Sequence, residues 1–176
     1  MKNKLSGFTL IEILVVISII GVLSAVIFAS FGDAREDSRD KVRKTSLKEL
    51  ALALELYKAQ YGVYPDQGCN ADPAWAGPGP LGTDCTKYII GLVPEFLSEL
   101  PTDPNQESVA NLGFMYRVSP EKDRYKAMVQ GSVESDTVKD FNNKFARCPS
   151  AIAGSPCQSG VPEKTYAVYS LGAEDW

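Results

Sequence analysis

The chain has 176 residues, 44% hydrophobic and 23% charged, with 18 Lys and Arg against 22 Asp and Glu for a formal charge of −4. That composition excludes wholesale disorder, the length suits about one domain of ordinary size, and the mildly acidic balance speaks against a nucleic-acid surface as its main business. The chain has no histidine, so imidazole zinc sites, the Ser-His-Asp triad and the Cys-His dyad fall away together, while carboxylate chemistry stays open.

Residues 8–31 read FTLIEILVVISIIGVLSAVIFASF and hold one ionisable side chain, Glu12. As a helix this stretch rises about 36 Å, enough to cross a hydrocarbon core of about 30 Å. A secretory signal has an apolar stretch of only about 7–15 residues, closed by small residues at a cleavage site. Here the run is longer, and Ala29, Ser30 and Gly32 are poorly placed for cleavage, so a membrane anchor is the better reading. Glu12 is out of place in a plain anchor, because a carboxylate deep in lipid costs on the order of 3 kcal/mol. No Lys or Arg lies between residues 5 and 34. A counter-ion must come from another molecule, or Glu12 must stay neutral or near the interface. The run is preceded by a short basic leader, MKNKLSG, with Lys2 and Lys4.

Leader and apolar run together resemble a known family. Gly7-Phe8-Thr9-Leu10-Ile11-Glu12 followed by an unbroken apolar stretch is similar to the class III leader of type IV prepilins and type II secretion pseudopilins. The resemblance implies that a prepilin peptidase cuts after Gly7 and methylates the new amino group of Phe8. It also implies that Glu12, fifth in the mature chain, pairs with that amine on the same or a neighbouring subunit during filament assembly. The processed amine supplies the cation that the lone carboxylate lacks, and burial in a helix bundle strengthens the pair. Many members carry a proline near the end of the apolar run; this chain has none before Pro65, so a kink there would fall to Gly32. Basic residues alone (Arg35, Arg39, Lys41, Arg43 and Lys44 against Lys2 and Lys4) put the C-terminal side in the cytoplasm. The downstream cysteines, which suit an oxidising compartment, and the leader point the other way and carry more weight.

From residue 33 to 61 the chain has neither Pro nor Gly, and Leu47, Leu50, Ala51, Leu54, Tyr57 and Tyr61 recur in steps of three and four, an amphipathic helix stripe. Gly62 and Pro65 stop it. Its first part, DAREDSRDKVRK at 33–44, is charged nearly all round. It reads as a solvated stretch with local ion pairs, or as a surface that pairs with neighbouring subunits, since a helix without an apolar face gains little from its own domain. The whole predicts one helix of roughly fifty residues, about 80 Å long, which again resembles the pilin stem. The Tyr61-Gly-Val-Tyr-Pro65 sequence is similar to the end of that stem in pseudopilins.

The remainder is the predicted head. Residues 66–87 are rich in Gly, Pro, Asn and Asp and read as a loop. Cys69 and Cys85 flank it, and Cys148 and Cys157 flank a second one. Of the three possible connectivities the local pairing 69–85 and 148–157 is preferred, and a zinc site is disfavoured because the spacings are not C-x2-C. A bridge closing a loop of about 15 residues stabilises by roughly 3 kcal/mol. Leu100-Pro-Thr-Asp-Pro104 looks like the connection before the pseudopilin sheet, with short helical turns expected ahead of it. Residues 113–118, 124–133 and 166–171 have strand chemistry, with Phe114, Tyr116 and Val118 alternating, and Tyr125, Ala127 and Val129 likewise. Residues 119–123 make a hairpin turn, and 138–145 a short helix or ordered loop. The closing Ser-Leu-Gly-Ala-Glu-Asp is similar to the sheet end of the major secretion pseudopilin, where acidic residues and carbonyls bind calcium. Glu174 and Asp175 are weak candidates for that role, and a solvated C-terminus is the simpler reading.

The expected fold class is α+β: a long N-terminal helix, transmembrane then amphipathic, packed against a small antiparallel sheet. Its divisions are 1–7 leader, 8–31 membrane half, 32–62 amphipathic half and 63–176 head. The resemblance implies a structural subunit of a type IV pilus-like filament, with itself, prepilin peptidase and an inner-membrane platform as partners. It implies a single-pass membrane location with the head outside the cytoplasm, followed by a periplasmic or surface filament. No Walker loop, GxSxG or Cys with a base occurs, so neither enzyme nor cofactor is expected. The alternatives are a secretion or competence pseudopilin, and a membrane-anchored binding domain.

Overall fold

The computed structural model describes residues 7–69, 75–79, 85–105, 113–134, 143–148 and 164–176, with the backbone alone at 27–30. One helix, α1 (Leu10–Tyr61), and three strands, β1 (Phe114–Val118), β2 (Tyr125–Val129) and β3 (Tyr166–Tyr169), make up its regular structure. The chain falls into two units, Met1–Glu36 and Asp37–Trp176.

In the first unit α1 is apolar on every side. Leu10, Ile13, Ile17, Ile20, Leu23 and Val26 all stand exposed, and the helix is long and apolar enough to cross a membrane. Apolar exposure all round suits lipid or neighbouring helices, not water. The helix runs through Gly32 without interruption.

In the second unit α1 presents the stripe that builds the core. Leu47, Leu50 and Leu54 are fully buried and Ala53 nearly so. Ala51 sits at the edge of the stripe and Tyr61 is exposed. The helix ends as its sequence requires: Gly62 takes the left-handed conformation (φ +80°) and its N–H donates to the Lys58 carbonyl at 2.8 Å, an αL cap.

The strands form one antiparallel sheet in the order β1-β2-β3, with Tyr116 opposite Ala127 and Ala127 opposite Val168. Alternation divides its residues between two faces. Phe114, Tyr116, Tyr125, Ala127, Val129 and Tyr166 pack with the Leu47–Leu50–Leu54 stripe into the main core. Met115, Met128 and Ala167 face the other way and meet Trp75, Tyr169 and Trp176 in a smaller cluster. Both faces are therefore covered, which explains why every residue of β2 is buried. Residues 119–123 form the expected hairpin turn, held by Ser119 Oγ, which accepts from the Asp123 amide at 3.1 Å. Ahead of the sheet, the Phe96 amide donates to the Leu92 carbonyl at 3.0 Å, one helical turn that goes no further. The expected helix or loop at 138–145 lies largely outside the described residues.

The charged stretch 33–44 departs from the expectation that it is free of its own domain. Asp40 and Arg43 are buried, 1% and 0% exposed. They fall seven residues before Leu47 and Leu50, so the core stripe continues through them in the same steps of three and four. The face is the same; only its chemistry changes from apolar to ionic.

Candidate assembly site

The N-terminus of α1 is built by a reciprocal cap. Thr9 precedes the first helical residue, and its backbone N–H donates to Glu12 Oε2 at 2.7 Å. Its hydroxyl donates to the same oxygen at 2.8 Å, and the Glu12 amide donates back to that hydroxyl at 3.3 Å. This is a capping box, Thr-x-x-Glu, in which two otherwise orphaned amides find acceptors. A carboxylate in the first turn also lies at the positive end of the helix dipole. The pattern was present in the sequence as Thr9 and Glu12 three apart. Gly7 has open space where a Cβ would stand, and Phe8 is 85% exposed. Gly7, Phe8 and Glu12 thus lie together at one accessible helix end. Glu12 spends one oxygen on its own helix; among the described residues every hydrogen bond to its side chain comes from Thr9.

In the second unit Arg43 organises a buried ion cluster. Its Nε and Nη2 donate to the two carboxylate oxygens of Asp103 at 2.8 and 3.0 Å, a bidentate pair. Its Nη1 lies 2.7 Å from Asp40 Oδ1 and 2.7 Å from Glu134 Oε1. Arg39 Nε donates to Glu134 Oε1 at 2.8 Å, and Asn105 Nδ2 to the same oxygen at 2.9 Å. The Glu134 amide donates to Asp40 Oδ2 at 3.1 Å. Burial alone would lower the Arg43 pKa, but hydrogen bonds to Asp103 and Glu134 outweigh it and leave the pKa raised. The Arg39 and then the Arg43 hydrogen bonds hold the Glu134 pKa down at about 2, against a desolvation effect that opposes them. Asp103 belongs to the Leu-Pro-Thr-Asp-Pro stretch, so this motif docks the connection onto α1. The Asp40–Arg43 pair, three apart, is of the local kind expected for this stretch, but its contacts to Asp103 and Glu134 were not legible, because Asp103 lies 60 residues from Arg43.

A pH dependence follows. The folded pKa of Glu134, about 2, lies below its unfolded value near 4.5. Its contribution is therefore complete above pH 4.5 and disappears as pH falls through about 2. In thermal melts, the wild-type head should lose stability across that window more steeply than Glu134→Gln. Parallel curves for the two proteins would remove Glu134 as the source.

Cys69 and Cys85 are joined in a disulfide with Cα atoms 6.3 Å apart. Beside it Gly68 approaches the backbone so closely that a Cβ would lie 1.7 Å from the Lys87 carbonyl oxygen, which no side chain tolerates. Cys148 is also in a disulfide; Cys157 lies outside the described residues. Near Glu174 and Asp175, the amine of fully buried Lys126 reaches three main-chain oxygens, of Arg147, Glu174 and Trp176. Burial and then the Arg147 charge lower its pKa to about 7, against the pull of Asp175 and Glu174. Among the described residues no group of three His, Cys, Asp or Glu side chains gathers to hold a metal. A calcium ion needs 6–8 oxygens at about 2.3–2.6 Å, and here the Lys126 amine already takes a main-chain oxygen each of Arg147, Glu174 and Trp176. The residues there do not fit calcium.

The family described as the prokaryotic N-terminal methylation motif matches residues 2–28, the leader and the capped start of α1. Type II secretion system core protein G of Pseudomonas aeruginosa is 33% identical over 107 residues, 58% of this chain and 70% of that protein. Core protein G of Vibrio cholerae is 36% identical over 104 residues, 58% of this chain and 66% of its relative. The type IV major pilin protein PilA of Myxococcus xanthus is 37% identical over 60 residues, 34% of this chain and 27% of PilA. No solved structure matches the chain. The methylation-motif match at the capped apolar helix thus coincides with sequence similarity that reaches well beyond it. The chain belongs to the type IV pilin and type II secretion pseudopilin family, whose members are structural subunits and not enzymes.

Proposed function

We propose that this chain is a precursor cut after Gly7, methylated on Phe8 and built into a type IV pilus-like filament through its N-terminal helix. In this reading residues 1–7 are the leader, 8–31 the membrane half, 32–62 the amphipathic half and 63–176 the head. The peptidase and an inner-membrane platform are its partners in assembly. The subunit waits in the cytoplasmic membrane with its head outside, then leaves the membrane for a periplasmic or surface filament. The observation that carries the reading is the accessible Gly7-Phe8 junction ahead of the Thr9–Glu12 cap. That cap uses one carboxylate oxygen and leaves charge at the helix end for the amine of a processed neighbour.

A secretion pseudopilus is the second reading. Its support is the span of the matches: 70% of core protein G from Pseudomonas aeruginosa against 27% of PilA from Myxococcus xanthus.

Intact mass of protein from native membranes and from sheared surface material tests both. The expected species begins at Phe8, carries one added methyl and lacks the four thiol hydrogens of the four cysteines. Recovery in the sheared fraction favours a surface pilus; confinement to the membrane and periplasm favours the secretion pseudopilus. A chain still carrying residues 1–7 overturns the reading.

A further inference from the structure

The face of the sheet turned away from α1 holds a charge where an apolar residue is expected. Lys126 lies on the central strand, opposite Arg117 on β1 and Tyr169 on β3, and is fully buried. Its Nζ lies 2.7 Å from the Arg147 carbonyl oxygen, 3.0 Å from that of Glu174 and 2.8 Å from a main-chain oxygen of Trp176, the last residue of the sequence. These oxygens come from two separate stretches, 143–148 and 173–176. The Tyr169 ring flanks the amine, 5.0 Å from Nζ to centroid.

We infer that the ammonium of Lys126 is the resident cation of a cluster of main-chain oxygens, and that this side chain, not a metal ion, locks both stretches onto the sheet. Hydrogen-bond arithmetic supports the assignment. Peptide carbonyl and carboxylate oxygens only accept, and three main-chain oxygens converge on Nζ. An ammonium offers three N–H donors; a neutral amine offers two and would aim a lone pair at the third oxygen. Buried carbonyls left without a donor are costly, so the cluster requires a cation or a set of donors at this point. The charge is also poorly replaced from outside. A divalent ion would have to displace a tethered ammonium, and the arginines nearby add repulsion: Arg117 and Arg124 lie 5.1 and 5.7 Å from the Trp176 ring centroid, and Arg147 bears on Lys126 directly.

The lock explains how a short irregular stretch stays packed. Residues 173–176 have other ties as well: Trp176 packs in the smaller cluster, the Ala173 and Trp176 amides donate to the Ser170 and Ala173 carbonyls, and Arg124 Nη1 donates to the Gly172 carbonyl at 3.1 Å. On the other side, 143–148 is held by the Ala167 amide, which donates to the Phe145 carbonyl at 2.9 Å. Lys126 joins the two stretches to each other through its bonds to Arg147 on one side and to Glu174 and Trp176 on the other. The inference stands independently of the filament reading, since it concerns only how the head is held.

The test is thermal unfolding of the full chain in detergent micelles, in mildly acidic buffer, read by tryptophan fluorescence and by hydrogen exchange at residues 173–176. With wild type, adding calcium chloride or a chelator should move the melting temperature by less than about 1 °C, because the site already holds its cation. A rise of about 5 °C or more with calcium, reversed by the chelator, overturns the inference without any variant. Lys126→Met should lower the melting temperature by about 10 °C or prevent folding, and in a folded variant should abolish protection at 173–176. Lys126→Arg keeps a cation and should lose clearly less. Equal losses in the two variants, or an unchanged melt in Lys126→Met, overturn the role of the charge.

Discussion

Arg43→Met should destabilise the head by about 3–5 kcal/mol, the cost of removing one partner from a buried ion pair. Methionine matches much of the aliphatic volume, so the loss is electrostatic rather than a cavity. Asp103 loses both guanidinium bonds, Asp40 loses its bond from Nη1, and Glu134 keeps Arg39 and Asn105. With 0% exposure at the Arg43 and Asp103 side chains, water cannot enter to replace the donors. Domains of this size are stable by only about 5–15 kcal/mol, so the variant sits near the edge of folding, with a melting temperature lower by about 10–15 °C. Urea unfolding of the full chain in detergent micelles, followed by tryptophan fluorescence, measures it. The second half of the prediction separates pairing from packing. Adding Asp103→Asn to Arg43→Met removes an uncompensated charge, so the double variant should be more stable than Arg43→Met alone. A loss below about 1 kcal/mol for Arg43→Met would show the cluster to be as weak as an exposed pair.

The same residues show where sequence reasoning reached and where it stopped. Leu47, Leu50 and Leu54 announce a buried face because their spacing and their chemistry agree, and alternation at Phe114, Tyr116, Tyr125 and Ala127 announces strands for the same reason. Asp40 and Arg43 continue the stripe in spacing alone. A pattern search keyed to apolar residues stops at Leu47, and local charge alternation in DAREDSRDKVRK offers the simpler account of paired, solvated side chains. What turned them inward was Asp103 and Glu134, distant in sequence and unmarked within it. Lys126 is the strand counterpart. Alternation sends it to the face opposite Ala127, which an isolated sheet would leave in water. Its burial depends on 143–148 and 173–176, two irregular stretches whose sequence has no periodicity to read. The cap at Thr9 and Glu12 was legible from spacing, but Glu12 drew notice as a lone carboxylate seeking an outside partner rather than as the cap of its own helix.

The cap, together with the proposed pairing to a neighbouring amine, makes Glu12 the site of the other large effect. Glu12→Ala should leave membrane insertion intact, because it removes an ionisable group from an apolar helix, yet abolish filaments. Two contributions go with the side chain: the cap, about 1 kcal/mol, and the charge for a neighbouring amine. Glu12→Gln separates them. A glutamine at the third helical position still closes a capping box, so Thr9 keeps an acceptor for its amide, but no charge remains. If the proposed pair forms in the low-dielectric core of a filament, losing one partner costs about 3–5 kcal/mol per contact, on the order of a hundredfold to a thousandfold in subunit affinity. Glu12→Gln should then resemble Glu12→Ala in sheared-filament yield while retaining wild-type levels of processed subunit in the membrane. Thr9→Ala supplies the converse: the charge stays, the backbone amide of residue 9 still has its acceptor, and only the hydroxyl bonds are lost, so filament yield should fall by much less. Filaments at wild-type yield from Glu12→Gln would place the requirement in the cap and remove intersubunit charge pairing from the mechanism.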